Sequence, residues 1–277
     1  MLALAWDQNS FSFVSSPAVA MFEEAALSWV IEVLGLPSSA GGAIVTGATM
    51  ANFTGLAAAR NDVLKRVNWD VDRDGLIGAP ELTVYVGEEA HAVIYKALSM
   101  LGLGRERVVR LPVDTEGRVI RHDLPDISGP AIICIQAGNV NSGAFDPAQE
   151  LIAWAHEAEA WVHVDGAFGL WALASPELRD QAAGFDAADS WATDAHKWLN
   201  VPYDSGLVIV RDEDALGQAM SISGAYLHTS ERRDAMDFTP EASRRARAVA
   251  VWAALKALGR TGLEEMLSRH CRQALLV

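Results

Sequence analysis

Trp161-Val162-His163-Val164-Asp165-Gly166-Ala167-Phe168 reads as a buried strand that delivers one carboxylate, Asp165, at its C-terminal end, just before a turn of small residues. In open α/β sheets, ligands bind at that edge, outside the carboxyl ends of the strands. Short apolar runs recur along the chain at 82–86, 107–111, 131–136, 160–164, 188–192 and 206–210. Stretches of helical period lie at 18–34, 51–68, 91–101 and 147–159, and again at 240–258 after the last run. This alternation predicts an α/β fold: a mostly parallel sheet flanked by helices.

The strand expected at 188–192 leads into a second informative stretch, Ser190-Trp191-Ala192-Thr193-Asp194-Ala195-His196-Lys197-Trp198. Here a lysine follows a histidine in an apolar, aromatic setting, which favours the neutral amine that imine chemistry needs. Alone, Asp165 would be read as a turn cap and Lys197 as a snorkelling surface side chain. Two further stretches suit the same edge. Ala43 to Asn52 turns through Gly47 into a helix, whose first amides and dipole form an anion site near Ala48 and Thr49, with Thr49 equally able to act as N-cap. Gly87-Glu88-Glu89-Ala90-His91 places a histidine where a strand gives way to a helix.

His-Val-Asp-Gly-Ala at 163–167 followed by Asp-Ala-His-Lys-Trp at 194–198 resembles the signature of the group II pyridoxal-phosphate-dependent amino-acid decarboxylases, which have the aspartate-aminotransferase fold. The likeness extends over nearly the whole chain. It implies a fold type I large domain, incomplete at both ends, with residues 1–254 as the cofactor-binding large domain and 255–277 as the start of a truncated C-terminal small domain. It further implies that Lys197 carries pyridoxal 5'-phosphate as a Schiff base, that Asp165 pairs with the pyridine nitrogen, and that His91 stacks on the ring. An anion beside that nitrogen keeps it cationic and lets the ring accept electrons. Ala48, Thr49, Asn139, Ala167 and His196 complete the implied cofactor-binding set, with Asn139 expected to bond towards Asp165 or the cofactor. Asp194 stands where relatives often carry Asn or Ser near the phosphate, so its carboxylate is expected to point away or to be offset by His196.

The implied reaction is that of a lyase in carboxylic acid metabolism, decarboxylating an L-amino acid to an amine and carbon dioxide. The Lys and Asp pair would also serve an aminotransferase or another lyase on the same fold, and a catalytically inert fragment could act as a binding or interaction protein. Aromatic and acidic amino acids both remain open as substrates. The resemblance also implies a homodimer when full length, with a loop near 221–239 in which Tyr226 is the candidate acid for the carbanion left by carbon dioxide.

Composition fits a small-molecule ligand better than a nucleic acid or a membrane. Lys and Arg number 22 against 36 Asp and Glu, giving a net charge of -14 that repels nucleic acid and anionic membranes. With 2 cysteines, Cys134 and Cys271, there is neither a disulfide framework nor a structural metal site to expect. No basic leader and no long continuous apolar run is seen, so a cytoplasmic protein is expected. Asp70 to Glu81 matches the calcium-loop pattern of an EF-hand, but Pro80 and the β-rich 82–86 stand where the exiting helix should begin, which predicts an acidic surface loop without metal. Arg244, Arg245 and Arg247 are expected to open the 240–258 helix on a solvated face.

Overall fold

The computed structural model describes residues 5–222 and 232–276. Its strands are β1 (Gly41–Val45), β2 (Thr83–Gly87), β3 (Val109–Leu111), β4 (Ala131–Gln136), β5 (Trp161–Asp165), β6 (Ser190–Asp194) and β7 (Gly206–Val210). They form one sheet in the order β1-β7-β6-β5-β4-β2-β3. From β6 to β3 the neighbours are parallel, whereas β7 runs antiparallel to both β6 and β1. The sheet is thus mostly parallel, as expected. The addition is β1, whose opening Gly41-Gly42 lacks the β-branched side chains that mark a strand.

Helices cover both faces. On one side lie α1 (Pro17–Leu34), α5 (Ala148–Glu157) and α7 (Ala248–Ala274); on the other lie α2 (Ala48–Lys65), α4 (Ala92–Met100) and α6 (Glu213–Met220), with a one-turn helix, α3 (Val71–Asp74), between α2 and β2. The strands feed both layers by simple alternation. Ile133 and Ile135 of β4 join the α1, α5 and α7 core, while Ile132 and Cys134 join the α2, α4 and α6 core. A strand buried on both faces reads as a continuous apolar run, which is why β4 and β7 have the predicted boundaries.

α2 is the helix that matters for the site. It packs against β5, β6 and β7, and its N-terminus is pressed onto the end of β7. A Cβ on Gly206 would lie 2.5 Å from the Gly47 backbone, so only glycine allows this approach.

The region expected as a helix over 240–258 is divided. Residues before Ala248 are not helical: Arg244 exchanges backbone and side-chain bonds with Asn9 and Ser10, which holds the segment extended. Arg244 and Arg247 are buried rather than solvated. The Arg244 guanidinium lies 2.7 Å from both carboxylate oxygens of Glu23, and Arg247 bonds Asp204 at 2.7 Å. α7 runs across the 254/255 boundary and breaks its helical backbone at Gly259 (φ 61). No helix among the described residues is long and apolar enough to cross a membrane.

Candidate active site

Register places the chemistry. Asp165 is the last residue of β5, paired with Gln136 on one side and Ala192 on the other, so its side chain emerges at the C-terminal edge of the sheet. Asp194 ends β6, and the chain turns through His196 and Lys197 before entering β7. A cavity of about 390 Å³ at this edge is lined by Ala48, Thr49, His91, Asp165, Ala167, His196 and Lys197. Four separate stretches of sequence therefore meet in one place.

Asp165 is almost wholly buried, and its Oδ1 accepts from the Ala167 amide at 3.2 Å. Burial raises its carboxyl above the usual range, while His91, the Ala167 amide, Asn52 and Lys197 pull the other way. Its charge is thus costly unless answered by a cation. His91 is the N-cap of α4, with Nδ1 accepting from Val93 N–H at 3.3 Å, so it serves as helix start and cavity wall together.

Lys197 departs from expectation. Its side chain is 42% exposed and its Nζ lies 3.1 Å from Asp194 Oδ2, an ion pair rather than a desolvated amine. Asp194 also points into the site. Its Oδ1 accepts from Ala48 N–H at 2.6 Å, and His196 Nδ1 lies 3.5 Å away. An anion belongs at a helix N-terminus, and the chain supplies one itself. The N-cap of α2 is Gly47 and not Thr49, which lies inside the first turn. His196 Nδ1–H donates to the Ser205 carbonyl at 3.0 Å, and its ring stacks on Tyr203 at 3.9 Å. Tyr203 also lines the cavity, a position sequence reasoning passed over because an exposed tyrosine carries no periodic signal.

Asn139 lies outside the cavity lining. Its Oδ1 accepts from the amides of Asn141 and Ser142 at 2.8 and 3.3 Å, and its Nδ2–H donates to Glu89 at 3.3 Å, so the side chain bonds within its own turn and to Glu89 instead of towards Asp165. Tyr226 lies outside the described residues. In the acidic stretch, Asp70 caps α3, Asp72 accepts from Asn61 at 3.1 Å, and Asp74 pairs with Arg73 at 2.7 Å; no metal-holding group of His, Cys, Asp or Glu occurs among the described residues.

A lysine after β6, a carboxylate ending β5 and a helix N-terminus beside them, on a mostly parallel sheet, define the fold type I class of pyridoxal phosphate enzymes. Residues 1–276 match the model of the pyridoxal-dependent decarboxylase conserved domain, and the chain belongs to that family. It is 30% identical over 271 residues to the aromatic-L-amino-acid decarboxylase of Bacillus atrophaeus, covering 93% of this chain and 54% of that protein. It is 30% identical over 279 residues to the acidic amino acid decarboxylase of Homo sapiens, covering 96% and 53%. The crystal structure of Oryza sativa TDC with PLP and tryptamine superposes with a TM-score of 0.86 at 28% identity, covering 95% of this chain and 58% of that one. The chain spans about half the length of the curated relatives it matches.

The residues present fit pyridoxal phosphate. The cavity holds an amine for its aldehyde, a buried carboxylate for its ring nitrogen, an imidazole in its wall and a helix N-terminus for its phosphate. One donor of that N-terminus, Ala48 N–H, already serves Asp194, which lies 3.1 Å from Lys197 Nζ and 3.5 Å from His196 Nδ1.

Proposed function

We propose that this chain holds pyridoxal 5'-phosphate at Lys197 and removes the α-carboxylate of an L-amino acid as carbon dioxide, leaving an amine. The observation that carries the reading is the meeting of Asp165 and Lys197 in one cavity at the C-terminal edge of the sheet, beside the α2 N-terminus. When bound, pyridoxal phosphate supplies an electron sink for the bond that breaks at the α-carbon. The protein supplies position and charge. Asp165 keeps a negative charge where the ring nitrogen needs a proton, in a setting dry enough to make that charge count. Lys197 offers its Nζ as the attachment point, and Asp194, 3.1 Å away, holds that Nζ at the cavity. His91 lines the same cavity and favours the ionised form of Asp165.

The substrate is an amino acid of either aromatic or acidic type, as both occur among the relatives' names. A homodimer of the full-length protein belongs to the same reading, and sedimentation of the chain against a longer version tests it.

Loading with pyridoxal phosphate, reduction with borohydride and peptide mapping should place the label on Lys197, and Lys197→Ala should lose it. A panel of amino acids should then release carbon dioxide. Label on Lys65, Lys96 or Lys256, or amino transfer to the cofactor without carbon dioxide, would overturn the assignment.

A further inference from the structure

Beneath Asp165 runs a row of buried polar groups that the chemistry above leaves unused. Trp161 Nε1–H donates to Ser190 Oγ at 2.8 Å, His163 Nδ1 lies 2.7 Å from the same oxygen, and His163 Nε2 lies 2.8 Å from Asn52 Oδ1. Ser190, His163 and Asn52 are all 0% exposed, so each depends on its partners within the row. Asn52 Nδ2 has no partner in hydrogen-bonding geometry, yet Asn52 acts on Asp165 in favour of the ionised carboxylate. The buried Nδ2 is therefore the one Asn52 donor not engaged within the row, and the side-chain donor by which Asn52 favours the ionised Asp165. His163 and Asp165 share a strand face because they are two residues apart on β5.

The direction of the protons follows from the donors. Trp161 can only donate, so Ser190 Oγ accepts from it; Asn52 Oδ1 can only accept and faces His163 Nε2, so the ring proton belongs on Nε2 and Ser190 gives its own proton to Nδ1. His163 then carries its proton on Nε2 and gives it to Asn52 Oδ1. The amide is left with Nδ2–H towards Asp165. The reverse arrangement would turn Oδ1 onto a carboxylate, which its negative charge forbids.

We propose that His163 is a positioning residue for the cofactor: locked by Ser190 as the Nε2–H tautomer, it orients Asn52 so that an N–H, and not an oxygen, supports the charge of Asp165 at the ring nitrogen. This rests on the cofactor reading above and deepens it. Burial pushes His163 down to about 3, so the ring stays neutral and keeps one tautomer throughout the working pH range. The fold reserves the seat, since a Cβ on Gly55 of α2 would lie 2.8 Å from His163 Cε1.

The test titrates the chain with pyridoxal 5'-phosphate and with its 1-deaza analogue, in which a C–H replaces the ring nitrogen, following quenching of tryptophan fluorescence. His163→Leu and Asn52→Leu should weaken pyridoxal phosphate about tenfold, as expected for a bond to a charged group, and leave the deaza analogue unchanged. His163→Gln, which keeps an N–H near the position of Nε2, should recover most of the loss. If His163→Leu does not fold, Asn52→Leu gives the same comparison. Equal weakening of both ligands would overturn the proposal by reducing the row to a structural role. Failure of the unaltered chain to bind pyridoxal phosphate would overturn the cofactor reading and this proposal with it.

Discussion

Acid should destabilise the fold through His163. Burial lowers its pKa from the ordinary 6.5 to about 3, so the folded chain keeps the ring neutral while the unfolded chain protonates it. The sign is that of a depressed group: the stabilisation is complete above pH 6.5 and is lost as pH falls towards 3. Each pH unit in that window removes about 1.4 kcal/mol, so about 5 kcal/mol is at stake over the whole of it. That is comparable with the entire stability of many domains, ~5–15 kcal/mol. Urea unfolding of the unaltered chain and of His163→Gln, compared between pH 7 and 4.5, isolates the effect because every carboxylate titrates in both. The stability advantage of the unaltered chain should shrink by about 3 kcal/mol over the two units below pH 6.5. Parallel profiles would refute the reasoning and mean that His163 is protonated in the fold or reached by water.

Gly55→Ala should destabilise the chain even though Ala is the better helix former by about 1 kcal/mol, because the new methyl would sit 2.8 Å from a ring held at both nitrogens; a gain in urea midpoint would contradict it. Glu23→Ala should cost about 3–5 kcal/mol, since it strands the buried Arg244 guanidinium; chemical denaturation that registers under about 1 kcal/mol would mean water repairs the site. Calcium should give no saturable heat by calorimetry, as Asp70, Asp72 and Asp74 are engaged by protein donors. Binding that disappears in Asp70→Ala would show that those bonds yield to the ion.

The parallel strands were legible because burial on both faces leaves continuous apolar runs, whereas Asp165, Lys197 and His91 were singled out through the family resemblance, and the structure brings all three to one cavity. What sequence could not supply was direction. Asp194 was expected to point away or to be offset by His196; it turns inward, with His196 Nδ1 3.5 Å away, because a helix N-terminus from a stretch 146 residues away meets it there. Arg244 and Arg247 look like any basic helix start until Glu23 and Asp204 are brought against them. His163 offered a usable signal, a polar residue on the same strand face as Asp165, but its meaning depended on Asn52, and nothing local joins the two.

The antiparallel run of β7 beside β6 has a consequence for assembly. Asp194 and Gly206 are partners across the two strands, and the Ala195 amide bonds the Ser205 carbonyl at 3.1 Å, so Lys197 rides on a short loop closed at its base. Loops of that kind close with little entropy loss and within microseconds. Asp165 has no such advantage: the row that supports it joins His163 to Asn52 across 111 residues of chain, and contacts of that span form slowly. The two halves of the site thus mature on different clocks. The reactive amine is framed by local contacts and its electrostatic counterpart by a long-range one, so tight capture of the cofactor should report that this long-range contact has formed.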